Sequence, residues 1–291
     1  MLKYLIILTL PVFFISCNRE TKKPEDSASL FDSDSISIRL KYSDVLFEVP
    51  SPYHTSLCLK NLNIRFDERL LSSQSNIKNY TTTYNKAIAI GIYGTDICYL
   101  NLYDQKDFAL KYMDRLNRLL NDMEVLQGLD KSDIKKVEEN LGNNDSIIYY
   151  LSALYHKGDK YLFENDRSDI GSQIIAGGWI ESIYILTRLY QKNNNEKILN
   201  LILYQSQILD NLIKLLAPYY EKSKEYTELV DSLINIAYEF DLIDNEEFNF
   251  ETNTDTAKHL TTINNHSRFI LTGSNLDHLF KLVNDIRNRL I

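Results

Sequence analysis

Two stretches decide the fold: Gly91-Ile92-Tyr93-Gly94-Thr95-Asp96-Ile97-Cys98-Tyr99 and Ala176-Gly177-Gly178-Trp179-Ile180-Glu181-Ser182-Ile183-Tyr184. Each is apolar on nearly every side when wound as a helix. A helix at the surface of a protein carries one apolar stripe, so helices apolar all round belong at the centre of a bundle. Each stretch holds a pair of glycines, then an acid, then a tyrosine three residues on. An offset of 85 residues maps Asp96 onto Glu181 and Tyr99 onto Tyr184. The glycines do not align on that offset, so coincidence is a simpler reading than internal duplication.

Glycine inside a helix costs about 1 kcal/mol relative to alanine. Close approach of a second helix backbone is the simplest compensation, so the two stretches are expected to cross each other. The acids need compensation too, because an unpaired buried carboxylate is very unfavourable. Arg188, Arg167 and the tyrosine hydroxyls are the candidate partners. One reading makes a polar pocket at the crossing, lined by Asp96, Tyr99, Tyr103, Trp179, Glu181, Tyr184 and Arg188. The other is a satisfied polar network that fixes helix register, and it is the more economical of the two.

Outward from this pair, apolar residues recur at three- and four-residue spacing. The spacing predicts helices over 53–62, 77–103, 106–126, 132–141, 145–155, 168–191, 196–216, 218–240 and 275–290. Ser51-Pro52 suits the start of the first. Ser274-Asn275-Leu276-Asp277 reads as a capping box for the last. Gly128, Gly142 and Gly158 read as helix punctuation, and the run Glu164 to Arg167 as a cap before the second central helix. Residues 241–257 are acidic and Asn-rich and read as a loop. Leu260 to Ile263 and Arg268 to Thr272 are compatible with a small hairpin around Asn264 to Ser267. The expected class is all-α, a bundle of about eight to nine helices with that hairpin near 260–272.

The N-terminus reads differently. A basic Lys3 precedes a mostly apolar run from Leu5 to Ile15, then Ser16-Cys17, the pattern of a signal peptide. The run is interrupted by Pro11 and is shorter than the roughly 20 residues a membrane span needs. Phe14-Ile15-Ser16-Cys17 resembles a lipobox, cut before a diacylated cysteine, with Phe14 where leucine is commoner. The organisation expected is a signal peptide over 1–16, a lipidated polar tether over 17–39 and a helical domain over 40–291. Stable anchoring takes two or more acyl chains, such as palmitate, on Cys17. Asn18 rather than aspartate after the lipid site favours the outer membrane in the sorting scheme of some Gram-negative bacteria.

Charge narrows the partners. Cleavage before Cys17 would remove Lys3, one of 32 basic residues, and none of the 40 acidic ones, leaving a net charge of −9. That excludes the basic face a nucleic-acid partner requires and electrostatic docking on anionic lipid. The expected partners are the membrane, through the lipid on Cys17, and an envelope protein. Cys58 and Cys98 are expected as buried thiols acting as small hydrophobes, although an exported compartment also permits a disulfide. None of His54, His156, His259, His266 and His278 forms a helical metal-binding pair, so neither a metal nor another cofactor is expected. There is no nucleophile elbow and no phosphate-cradling glycine loop, so no catalytic residue is assigned. The 20 tyrosines are read as core and rim aromatics.

Three segments carry a resemblance. Phe47-Glu48-Val49-Pro50-Ser51-Pro52, Gly91 to Gln105 and Tyr161 to Leu186 look like a group of uncharacterised helical lipoproteins of Bacteroidetes-type bacteria. A Gly-x-Tyr-Gly-x-Asp-x-x-Tyr helix and a Gly-Gly-Trp-x-Glu helix recur in that group. They stand here at Gly91 to Tyr99 and Gly177 to Glu181. The resemblance implies an envelope location and a helical fold, and it brings no activity. The reading is therefore an envelope lipoprotein whose domain is a non-enzymatic binding or scaffold module. The alternative is a small-ligand binder or enzyme using the crossing around Asp96 and Glu181.

Overall fold

The computed structural model describes residues 37–42, 45–50, 59, 62, 64–255, 260–270 and 273–291. The signal peptide expected over 1–16, all of the tether expected over 17–39 except residues 37–39, and Cys58 lie outside them, as does most of the helix expected over 53–62.

Eight α-helices stand among the described residues: α1 (Thr83–Leu102), α2 (Lys106–Asp122), α3 (Lys131–Glu139), α4 (Asn144–Glu164), α5 (Ser168–Asn193), α6 (Glu196–Leu216), α7 (Lys224–Asp241) and α8 (Gly273–Leu290). The all-α bundle expected from the spacing is the fold observed. Starts are set by short polar side chains that take up free amides. Thr82 accepts from the Asn85 amide at 3.1 Å, Asn143 from Ser146 at 3.2 Å and Ser223 from Tyr226 at 3.3 Å. Asp130 and Asp133 cap α3 reciprocally.

Several boundaries differ from expectation. Residues 77–79 belong to a 3-10 turn, Gln74–Asn79, because Thr82 offers the better cap and α1 starts after it. Pro218 sits in another such turn, Ala217–Tyr219, and α7 waits for the Ser223 cap. Gly158 does not end a helix. It lies inside α4, where a methyl group in its place would only touch Val125 Cγ1 at 3.4 Å. Gly142 does end one, with φ +91°, a conformation open to glycine at little cost. Ser274 stands inside the first turn of α8 rather than capping it.

Two antiparallel hairpins flank the bundle. β1 (Ser37–Tyr42) pairs with β2 (Val45–Pro50), and β3 (Asp244–Asp255) with β4 (Leu260–Ile270). The second corrects the hairpin expected within 260–272. Asn264 and Asn265 lie in mid-strand opposite Glu251 and Phe250, and the partner is the segment read as a loop. Its acidic composition masks a period of two: Phe248, Phe250, Thr252 and Thr254 alternate with Asn249, Glu251 and Asn253. No helix among the described residues is long and apolar enough to cross a membrane.

α1 and α5 form the central pair, with α2 against α1 and with α4, α6 and α8 against α5. Burial runs unbroken from Ile170 to Thr187 in α5 and covers both faces of α1. The glycines explain how closely the two approach. A Cβ added at Gly91 would lie 2.0 Å from the Ile174 carbonyl oxygen, and one at Gly177 would lie 2.1 Å from that of Ile88. Backbone touches backbone there. Gly94 faces open space, with nothing within 4 Å of its would-be Cβ, so it is not part of the contact. Thr95 closes the crossing with a hydroxyl that donates to the Gly178 carbonyl at 3.1 Å.

Candidate functional site

Asp96 on α1 and Glu181 on α5 are both fully buried. Their helices meet at the glycine contact, so the carboxyl groups converge one turn along from it. Glu181 receives a two-pronged hydrogen bond from Arg287 of α8: Nε to Oε2 at 3.0 Å and Nη2 to Oε1 at 2.9 Å. That fork geometry is the strongest form of carboxylate pairing. The guanidinium lies over the Tyr184 ring, 4.3 Å from its centre, which adds a cation–π contact.

Asp96 is held differently. Its Oδ2 accepts from both the amide (3.2 Å) and the hydroxyl of Ser72. Its Oδ1 meets no donor among the described residues, and the carboxyl lies within hydrogen-bonding reach of Glu181. Burial pushes the Asp96 carboxyl well above its ordinary range, and the neighbouring Glu181 charge pushes it further.

The Ser72 contact belongs to a strap over 64–73, with a 3-10 turn at Glu68–Leu70, that runs along α1. Tyrosine hydroxyls pin it. Tyr112 donates to the Ser72 carbonyl at 2.5 Å, Tyr93 donates to that of Ser73 at 3.2 Å, and Tyr99 accepts from the Asp67 amide at 3.1 Å. Asp67 in turn binds Arg69 at 2.8 Å and Lys192 of α5 at 3.1 Å. The side-chain hydrogen bonds from Arg69, chiefly, and Lys192 hold its carboxyl well below the usual range.

The expected pocket residues therefore divide. Asp96 and Glu181 come together, and Tyr184 joins them through Arg287. Tyr99 and Tyr103 pack on each other at 5.1 Å and on Phe66 of the strap at 5.7 and 5.6 Å. Trp179 is buried, with no hydrogen-bond partner for Nε1 among the described residues. Arg188 is exposed and reaches Gln191 on its own helix at 3.2 Å, so it is not the partner of Glu181. Arg167 is not either; it donates to the Met123 carbonyl at 2.8 Å.

The partner that sequence reasoning missed is Arg287. Its signal was present: it occupies a core position of α8, in register with Phe280, Val283 and Leu290. An arginine in such a seam marks a buried anion elsewhere. Cys98 is a free, buried thiol whose burial pushes it up to about 12.

Among the described residues no group of three or more His, Cys, Asp or Glu could hold a metal ion. A surface crevice of about 600 Å³ lies between α7 and α8, lined by Ser232, Asn235, Leu282, Asp285, Asn288 and Arg289. None of the expected pocket residues lines it. No protein family, curated protein or solved structure gives a match to this chain.

Proposed function

We propose that the chain is a cell-envelope lipoprotein, held to the outer membrane by acyl chains on Cys17, whose helical domain is a non-enzymatic binding or scaffold module. The anchor rests on Leu5 to Ile15 followed by Ser16-Cys17. One observation carries the module reading: Asp96 and Glu181 are both 0% exposed, and Glu181 is already engaged by Arg287. The alternative, a ligand pocket or active site around Asp96 and Glu181, needs an opening to those carboxylates. Their hydrogen bonds run instead to the strap and to α8, which supports a role in holding helices together.

The test uses metabolic labelling with a clickable palmitate analogue in a Gram-negative host, followed by membrane fractionation. The wild-type chain should carry the label and sediment with the outer membrane. Cys17→Ser should lose the label and its membrane association. A labelled Cys17→Ser chain, or an unlabelled wild type, refutes the anchor. For the module, cross-linking on intact cells should trap a specific envelope partner with the wild type.

A further inference from the structure

We propose that the centre of the bundle binds one proton, shared between Asp96 and Glu181, and that this proton fastens both the 64–73 strap and α8 to the central helix pair. The proposal does not depend on the lipid anchor or on the module reading.

The geometry leads there by charge counting. Two carboxyl groups and one guanidinium occupy a site where Asp96 and Glu181 are fully buried and Arg287 is 6% exposed. Arg287 spends both prongs of its fork on Glu181, and none of its hydrogen bonds goes to Asp96. Among the described residues, Asp96 has only the two neutral Ser72 donors, both on Oδ2. With both acids ionised the site would carry a net negative charge in a dry interior, a strongly unfavourable state. With Asp96 neutral the count closes. Oδ1, which meets no donor, becomes a hydroxyl that donates to Glu181, and no polar atom of the pair is left over.

The other groups facing Asp96 do not supply the missing charge. Tyr80 from the turn before α1, Tyr93 and Cys98 from α1, and Tyr112 from α2 all feel the Asp96 charge. All four are neutral at physiological pH, with Tyr80 and Cys98 each pushed up to about 12 by burial. Among the described residues, Arg287 is the one cation with a hydrogen bond into the pair. The Ser72 donors favour the ionised form, but desolvation and the Glu181 charge act against it and outweigh them.

The proton links the chain's parts because Ser72 belongs to the strap and Arg287 to α8. If Asp96 gives its proton to solvent, two anions then compete for one guanidinium, and the elements they hold lose their common anchor. A carboxyl that keeps its proton in the fold and releases it on unfolding stabilises fully below its ordinary value. That stability falls as pH rises toward the folded value.

Urea unfolding of the full chain in detergent, between pH 5.5 and 8.5, tests this. The unfolding constant of the wild type should rise about ten-fold per pH unit more steeply than that of Asp96→Asn, for as long as pH stays below the folded value. The five histidines are common to both proteins and cancel in the comparison. Equal pH dependence in the two proteins overturns the proposal. Should Asp96→Asn not fold, the infrared spectrum of the wild type at pH 7 decides. A protonated-carboxyl band resistant to deuterium exchange is expected, and its absence overturns the proposal.

Discussion

Replacing Gly91 with alanine should destabilise the domain, although alanine is the better helix former. The added Cβ would lie 2.0 Å from the Ile174 carbonyl oxygen and 2.5 Å from the Gly178 amide nitrogen. Both neighbours are backbone, so no side chain can swing aside. Ordinary carbon contacts lie at about 3.5–4.0 Å, so α1 and α5 must separate by more than an ångström along the contact. Overpacking of this kind costs about 1–3 kcal/mol, and a backbone obstacle places it at the upper end. Helix propensity returns about 1 kcal/mol. The net loss is about 2 kcal/mol, which in a domain of this size lowers Tm by about 4–8 °C. Gly177→Ala should behave alike, since its Cβ would lie 2.1 Å from the Ile88 carbonyl oxygen. Gly94→Ala is the internal control. It meets nothing within 4 Å, so it should keep the propensity gain and raise Tm by about 2–4 °C. Differential scanning fluorimetry on the three variants reads the signs. If Gly91→Ala or Gly177→Ala raises Tm, the backbone contact is not as tight as described and the reasoning fails.

Arg287→Met should cost about 3–5 kcal/mol by stranding the Glu181 charge, and adding Glu181→Leu should restore most of it; chemical denaturation of single and double variants measures both, and a harmless single change would refute the pairing. Asp67, whose carboxyl is depressed chiefly by Arg69, contributes stability above the ordinary carboxylate range that disappears as pH falls. Asp67→Asn should therefore be less stable than wild type at pH 7 and approach it toward pH 3, and a constant gap across that range in Tm would refute the assignment. Cys98 should resist iodoacetamide at pH 8 in the folded protein and react fully in urea, because its thiol is buried and pushed up to about 12. Alkylation of the folded protein at the unfolded rate would contradict that.

Helix positions were legible because their information is local. The spacing of apolar residues marks α6 to the residue, and the all-round apolar character of α1 and α5 identified the central pair and their contact. What failed was either non-local or masked. Arg287 lies 106 residues from Glu181, and no spacing rule within one helix connects them, whereas Arg188 offered a tempting partner two turns along the same helix. The correct choice depends on α8 folding back against α5, which is a tertiary fact. Gly94 looked like Gly91 in sequence, and three residues of helix leave the two only about 60° apart around the axis, yet a Cβ at Gly94 would meet nothing within 4 Å, because it stands nearly a turn further along α1 than the backbone contact. The β3 strand was hidden by composition: its asparagines and glutamates read as loop while its phenylalanines and threonines kept the alternating pattern.

The Glu181–Arg287 pair also bears on the order in which the chain becomes a folded object. α5 carries its carboxylate into the core, but the guanidinium that neutralises it is synthesised 106 residues later. At roughly 5–20 residues per second that gap lasts about 5–20 s. Until α8 arrives, closing α5 into a dry bundle would bury an unmatched anion, so the native packing of the two central helices is held back. Helices α1 to α7 can form and collapse, yet the native interior closes only once α8 has been made. A chain truncated before α8 should accordingly stay loosely packed and protease-sensitive, even though most of its apolar surface is already present.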